Sequence, residues 1–316
     1  MSKSIILKTA AAVCIVALLA CAFTIFGKTF RIGNRYANAE QYTAGATTLD
    51  KPVKNLDVNW TDGRVTIAYH DKDTVEIAET AKKEISADAQ LRWWLDGDTL
   101  RIQYAKSGYF RLTGLNKELT LTLPEGIELG SIAIDATSAE VDAPDLHADD
   151  IAVDMTSGSL ALSQLGKADR VRIDVTSGDI RAALENVKDV SAELTSGRIE
   201  ISQTGEAESV DISTTSGDVT LACDAARRAS VDTTSGKIDV SLAAFDALKI
   251  ESTSGDVAAA LPSEPGFKAD IDTTSGSFDS AIPLTQEKSS YTCGDASASV
   301  DIDTTSGNVR LVEYGK

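Results

Sequence analysis

The tripeptide Thr-Ser-Gly occurs eight times, with its serines at 157, 177, 196, 216, 235, 254, 275 and 306, and a variant, Thr137-Ser138-Ala139, precedes them. From Ser138 onward the intervals are 19, 20, 19, 20, 19, 19, 21 and 31 residues. A period of this length is the signature of a solenoid, in which each repeat buries its apolar face only by stacking on its neighbours. The side chains six, four and two residues before each serine are apolar or small, as in Val171, Ile173 and Val175. Apolar residues return three and five residues after it, as in Ile180 and Ala182. Alternation with period two means strands with one buried face. The phase slips at the glycine, where the chain must turn, and Ser-Gly is a turn signal. Each repeat therefore reads as strand, tight corner, strand and variable turn. Gly158, Gly178, Gly197, Gly217, Gly236, Gly255, Gly276 and Gly307 are its structural corners. Nine coils at the ~4.8 Å strand spacing would make a rod of roughly 40 Å.

Residues 45–125 are β-rich without keeping the period: "LDVNW" (56–60), "RVTIAYH" (64–70), "TVEIAET" (74–80), "LRWWL" (91–95), "TLRIQY" (99–104) and "LTLTLP" (119–124) alternate like strands. "TDG" (61–63) and "LDGD" (95–98) read as their turns, and Trp60, Trp93 and Trp94 as their core. Solenoids need atypical ends against edge pairing, so this segment is expected to cap the first coil. The expected fold is thus all-β: a β-solenoid of about nine 19–20-residue coils with a β-rich N-terminal cap, preceded by one N-terminal membrane helix. Its parts are 1–35, a membrane anchor with a basic flank; 36–125, linker and cap; and 126–316, the repeat solenoid. The 31-residue interval holds an insertion, 283–297, expected to bulge as a loop. The open C-terminal end is expected to be free for self-association.

Residues 9–27, "TAAAVCIVALLACAFTIFG", carry no charge over 19 positions. That length suits an uncleaved, single-pass anchor in the cell membrane. The rival reading is a lipoprotein whose processing site "LLAC" ends at Cys21. Lys3 and Lys8 precede the segment and Lys28, Arg31 and Arg35 follow it, so the positive-inside rule does not orient it. An acidic β-rich domain behind a signal-like segment points to the extracytoplasmic side. Those five basic residues leave 25 of the 30 for the chain from Tyr36 on, against 48 acidic ones, a net charge of −23. Such a domain repels nucleic acid and anionic lipid and attracts cations or basic polymers, so no nucleic-acid partner is expected.

One outward column is acidic at eight of its nine positions. Three residues before each serine stand Asp135, Asp154, Asp174, Glu193, Ser213, Asp232, Glu251, Asp272 and Asp303. Stacked in register these form a ladder of carboxylates, and like charges opposite one another on neighbouring strands are destabilising. The ladder needs relief from screening, hydrogen bonds to the corner, a basic partner or bound cations. Oxygen ligands suit hard cations, so Ca²⁺ along the ladder is the one metal to consider; no cofactor is otherwise expected. The column two residues after each serine runs Glu140, Ser159, Asp179, Arg198, Asp218, Lys237, Asp256, Ser277 and Asn308, alternating in sign at its centre. Neighbouring coils neutralise one another there.

Signs of catalysis are few. His70 and His147 are 77 residues apart, which gives no paired metal-ligand spacing. "TSGKI" (234–238) lacks the upstream glycine of a phosphate loop. Near-identical corners argue against one special nucleophile, and a net −23 would repel the acidic polysaccharides that some β-helical enzymes cleave. A non-enzyme is expected, with a cation-dependent polysaccharide-active enzyme as the minor alternative. Cys223 and Cys293 are open to one bridge or to two independent thiols.

The run "KELTLTLPEGIELGSIAIDATSAEVDAPDL" (117–146), followed by "TSGDI", "TSGRI", "TSGDV" and "TSGKI", resembles the bacterial "putative adhesin" β-strand-repeat family, a domain of unknown function, over about residues 50–312. The resemblance implies a membrane-anchored envelope protein and brings no catalytic residues. It favours an adhesin or an envelope-binding scaffold. The alternative is a structural spacer presenting the 283–297 segment or the open C-terminal end.

Overall fold

The computed structural model describes residues 36–110, 114–287 and 290–315. The anchor expected within 1–35 lies outside the described residues, and no helix among them is long and apolar enough to cross a membrane. Each repeat is one coil in which the strand runs on through its corner, as Ala168–Glu185 does across Thr176-Ser177-Gly178. Its inward side chains, Val171, Ile173, Val175, Ile180, Ala182 and Leu184, are at most 4% exposed. Burying an aliphatic side chain of this size is worth about 1.5–3 kcal/mol, and the coils above and below supply the cover. Pairing is parallel and in register: Ser177 lies opposite Ser157 on one side and Ser196 on the other.

The corner glycines stack on one another. A Cβ placed on Gly197 would fall on the carbonyl oxygen of Gly178, and the same holds for Gly178 over Gly158 and Gly217 over Gly197. Gly197 also has φ +139°, open only to glycine at low cost. Ala139 is the exception that fits, because its φ is not positive and its methyl group turns into the core.

The stack begins before the Thr-Ser-Gly repeat does. Asn55–His70 is a coil in parallel register with Leu129–Leu146, and Thr61-Asp62-Gly63 takes the corner opposite 137–139. Outside it lies one more coil, whose two arms are Thr99–Gln103 and Lys117–Pro124. Nine serine-centred coils thus become eleven. Antiparallel strands cover both arms of the outermost one: Arg92–Asp96 lies on Thr99–Gln103, and Val75–Thr80 on Lys117–Pro124.

Trp60 is fully buried under this corner, edge-on to Tyr104 at 4.9 Å, while Trp93 and Trp94 are only half-buried. Beside Trp60 the Lys117 ammonium is sealed from solvent. It donates to Glu79 Oε2 (2.8 Å), to the carbonyl of Ala89 (2.7 Å) and to that of Tyr104, and lies 4.1 Å from the Tyr104 ring centroid. Burial pulls the Lys117 pKa down and the Glu79 carboxylate opposes that shift.

At the other end, stack order departs from chain order. The last coil, Ala298–Ser306 and Val309–Glu313, is inserted between the Ser254 coil and the Ser275 coil. The glycines record it: a Cβ on Gly307 would strike the carbonyl of Gly255, and one on Gly276 that of Gly307. The C-terminal coil is therefore interior, and the Ser275 coil ends the stack. Nor is the 283–297 insertion a bulging loop. Its strands Thr285–Glu287 and Ser290–Gly294 form a hairpin added antiparallel to the edge of Gly266–Ser275. Cys293 sits in that hairpin and Cys223 in the core of the Ser216 coil, both as free, buried thiols.

Replacing Gly197 by alanine should destabilise the protein by about 3–5 kcal/mol, from backbone overlap and positive φ together. Ala139→Gly should cost about 1 kcal/mol or less. Equilibrium urea unfolding of both variants checks the contrast. Lys117→Met leaves Glu79 buried without its partner and should cost about 3–5 kcal/mol. Adding Glu79→Gln should recover part of that loss in the same assay.

Candidate functional site

The strand alternation that buries the core sends the residue three before each serine outward, and parallel register aligns these residues. Asp135 faces Asp154, Asp154 faces Asp174, and Asp174 faces Glu193. Past Ser213, Asp232 faces Glu251. Because the last two coils exchange places, Glu251 then faces Asp303, and Asp303 faces Asp272. The structure thus brings all eight predicted acidic residues into one column, and Asn59 continues it one coil further, opposite Asp135.

Relief along the column is uneven. Arg172 reaches Asp174 at 3.8 Å and Glu193 at 3.5 Å, and Lys249 reaches Glu251 at 2.8 Å. The carboxyl pKa of Asp232 is raised by loss of solvent and by facing Glu251. That of Asp303 is raised by loss of solvent and then by Asp272, Glu251 and Asp301. No three His, Cys, Asp or Glu side chains gather closely enough to cage a metal ion among the described residues. The Ca²⁺ expectation therefore finds a line of separate carboxylates at strand spacing, and no coordination sphere.

The column two residues after each serine does more than alternate in sign. Arg64 continues the alternation into the earlier coil through its 2.6 Å pair with Glu140. Further along, acceptors on this column cap backbone N–H groups of the next coil just past the corner. Asp218 Oδ1 accepts from Lys237 N (3.0 Å), Asp256 Oδ1 from Asn308 N (2.8 Å) and Asn308 Oδ1 from Ser277 N (3.1 Å). These side chains hold the corner and are satisfied there. The acid ladder instead sets carboxylate opposite carboxylate from coil to coil.

The histidines serve turns: His70 Nε2 lies 2.6 Å from the Thr74 carbonyl, and the His147 carbonyl accepts from Leu129 N. A groove of about 290 Å³ on the second-strand face is lined by Asp142, Ala161, Ser163, Arg181 and Ser202 among others, and no histidine or cysteine lines it. Its hollow comes from short side chains, with Arg181 tied to Glu200 at 3.2 Å.

Polar residues also enter the core, where the small inward position two before the serine carries a hydroxyl. Thr214, Thr233, Ser252 and Thr304, two before their serines, are buried within the core of consecutive coils. The repeated "TTSG", and "STSG" at 252–255, was their signal. Gln164 occupies an inward position and ties the second turn, its Nε2 donating to the carbonyls of Leu165 (2.9 Å) and Gly166 (3.1 Å). Lys117 stands in the glycine column, opposite Gly63. Nothing in "NKELT" distinguishes it from a surface lysine.

A search of curated proteins yields no match. Among solved structures the chain is similar to a "putative adhesin" from Bacteroides fragilis, at 12% identity over 85% of this chain and 97% of that one, with a TM-score of 0.37. It is also similar to a "putative lipid binding protein" from Parabacteroides distasonis, at 15% identity over 85% and 98% of the two chains and a TM-score of 0.42. A "putative adhesin" from the same organism overlaps at 11% identity, 85% and 96% coverage and a TM-score of 0.34. Overlaps this loose say nothing about ligand or partner. The family comparison is of another order, for the model named Toastrack DUF4097 matches residues 53–312, from the first core residue of the N-terminal coils to the last strand. The chain belongs to the Toastrack DUF4097 family.

Proposed function

We propose that the protein is a non-enzymatic, membrane-anchored module of the cell envelope whose acidic strand face binds a basic partner. The uncharged stretch at 9–27 supports the anchor and the signal-like start supports the extracytoplasmic side. The observation that carries the binding reading is the ladder itself. Eight carboxylates are held in a single column by a register that cannot slip, and like charges opposed across strands cost stability. Folding alone would favour breaking the column with opposite charge or corner caps, as in the column beyond the corner. Departures from local consistency of this kind collect at functional sites. A basic partner would add countercharge along the whole column, beyond what Arg172 and Lys249 give it.

The ladder's cost is measurable. Asp232 and Asp303 have raised carboxyl pKa values, so the folded state holds their protons more tightly than the unfolded chain does. Stability from this source is complete below the unfolded pKa and is lost as pH rises through the folded one. Asp303→Asn should therefore melt higher than wild type at pH 7, by the ~0.2–1 kcal/mol scale of one cross-strand pair. The gap should shrink as pH falls through the raised pKa. Calorimetry at matched ionic strength, with Na⁺ or Ca²⁺, should give the same gap, because the ladder is relieved by screening and not by a metal cage.

Asp154→Asn, Asp174→Asn and Asp232→Asn combined should weaken binding to poly-L-lysine by at least tenfold while leaving the melting temperature equal or higher. Surface plasmon resonance at physiological salt reads the affinity. Undiminished binding would leave the ladder without a role in recognition.

A further inference from the structure

The two ends of the stack are finished differently. At the first end both arms of the terminal coil are covered by antiparallel strands, as described above. At the other, strand Ser290–Gly294 covers only residues 266–270 of the Ser275 coil. Residues 271–275 and Phe278–Ser280 pair on their inner side, with 302–306 and 309–311, and no described strand lies on their outer side. An uncovered row of N–H and C=O groups around a corner is a template for one more strand.

The core is unfinished at the same place. Ile271 and Phe278 stand four before and three after Ser275 and are only partly buried, although Phe278 packs on Tyr291 at 4.8 Å. Their counterparts in the adjoining coils, Ile302, Val309, Ile250 and Val257, are at most 1% exposed. A further strand laid on the edge would complete both the hydrogen bonding and the cover.

Charge selects the occupant. The heptapeptide "DIDTTSG" occurs twice, at 270–276 and 301–307, and the inserted last coil brings the two copies side by side. Asp270 faces Asp301 and Asp272 faces Asp303, a block of four carboxylates that form no salt bridge among the described residues. Asp279 follows just beyond the corner. A second copy of this chain would bring the same block to the same edge and add to the repulsion. An extended segment with lysine or arginine at alternate positions would set its charges over the aspartates while its backbone joined the ladder.

We infer that the uncovered edge of the Ser275 coil, residues 271–280, receives an extended basic segment of a partner protein by strand addition. The inference takes the sign of the partner's charge from the reading of the acidic face, and it adds a place and a backbone-driven mode.

The probe is the octapeptide acetyl-Lys-Val-Lys-Thr-Lys-Val-Lys-Thr-amide, titrated into the full chain in detergent and followed by calorimetry. A second peptide of the same sequence and charge carries an N-methyl group on every residue's amide, so neither of its edges can complete the ladder. Methylation is expected to weaken binding at least tenfold, and so is the combination Asp270→Asn, Asp272→Asn, Asp301→Asn and Asp303→Asn. In the Asp154→Asn, Asp174→Asn, Asp232→Asn variant, where the face is neutralised and the edge is intact, methylation should still weaken octapeptide binding at least tenfold. Equal binding of the two peptides would overturn the edge while sparing the face reading. Failure of both to bind would also overturn it. So would concentration-dependent dimerisation, by sedimentation, that excess octapeptide does not reverse.

Discussion

Everything in this molecule is referred to the contact between a corner glycine and the carbonyl of the coil beneath it. That contact admits no side chain, so each coil can sit on the last in one register only. Hydrophobic burial alone would tolerate a slip of two residues along a strand, since the apolar period is two. The corner removes that freedom, because a two-residue slip would bring a threonine or an aliphatic Cβ atom over the carbonyl. The same constraint reaches beyond the core. Once the corner is fixed, every outward column is fixed too, and charges three residues before the serine have no choice but to face one another.

A stack of this kind has two ends, and each would expose a row of unpaired backbone if the chain were simply laid coil on coil. At both ends the chain goes past its next position and returns to fill it. At the first, Asn55–His70 is flanked by a coil that comes later in sequence, and at the second the final coil lies inside the penultimate one. The first coil in sequence, Asn55–His70, and the last are thereby each held between two neighbours and not left at an edge. Antiparallel strands then cover what remains outside. They cover both arms at the end that carries Trp60 and Lys117, where a buried ion pair helps close the core, and only part of the Ser275 coil.

Most of the architecture was legible in the columns around the serines. The period, the inward positions and the acid ladder all follow from strand alternation plus a corner of constant length. What stayed hidden has identifiable causes. Asp62 was read as a hairpin residue because its coil is separated from Ser138 by residues that build another coil, so the period is visible only as 76 residues, four repeats long. The exchange of the last two coils had no signal beyond the identical heptapeptides, which make the two coils nearly interchangeable in the columns around the corner. The 31-residue interval suggested an outward loop, whereas its Tyr291 and Cys293 turn toward the end of the core. Lys117 was unreadable, since its burial depends on Glu79, Ala89 and Tyr104 arriving from three separate segments.

The partly open edge and the acid ladder are consequences of one another's geometry. Had the last two coils stacked in chain order, Glu251 would face Asp272, and Asp303 would end the column. With the order exchanged, the identical "DIDTTSG" segments lie side by side, one of them outermost, and four aspartates gather on and next to the strand whose outer side is left unpaired from residue 271 onward. Charge on an edge strand normally keeps other chains away. Here it repels the acidic body of another copy and leaves the backbone open to a segment of opposite sign. Protection against self-pairing and selection of a basic partner are thus the same electrostatic property, seen from two approaching chains.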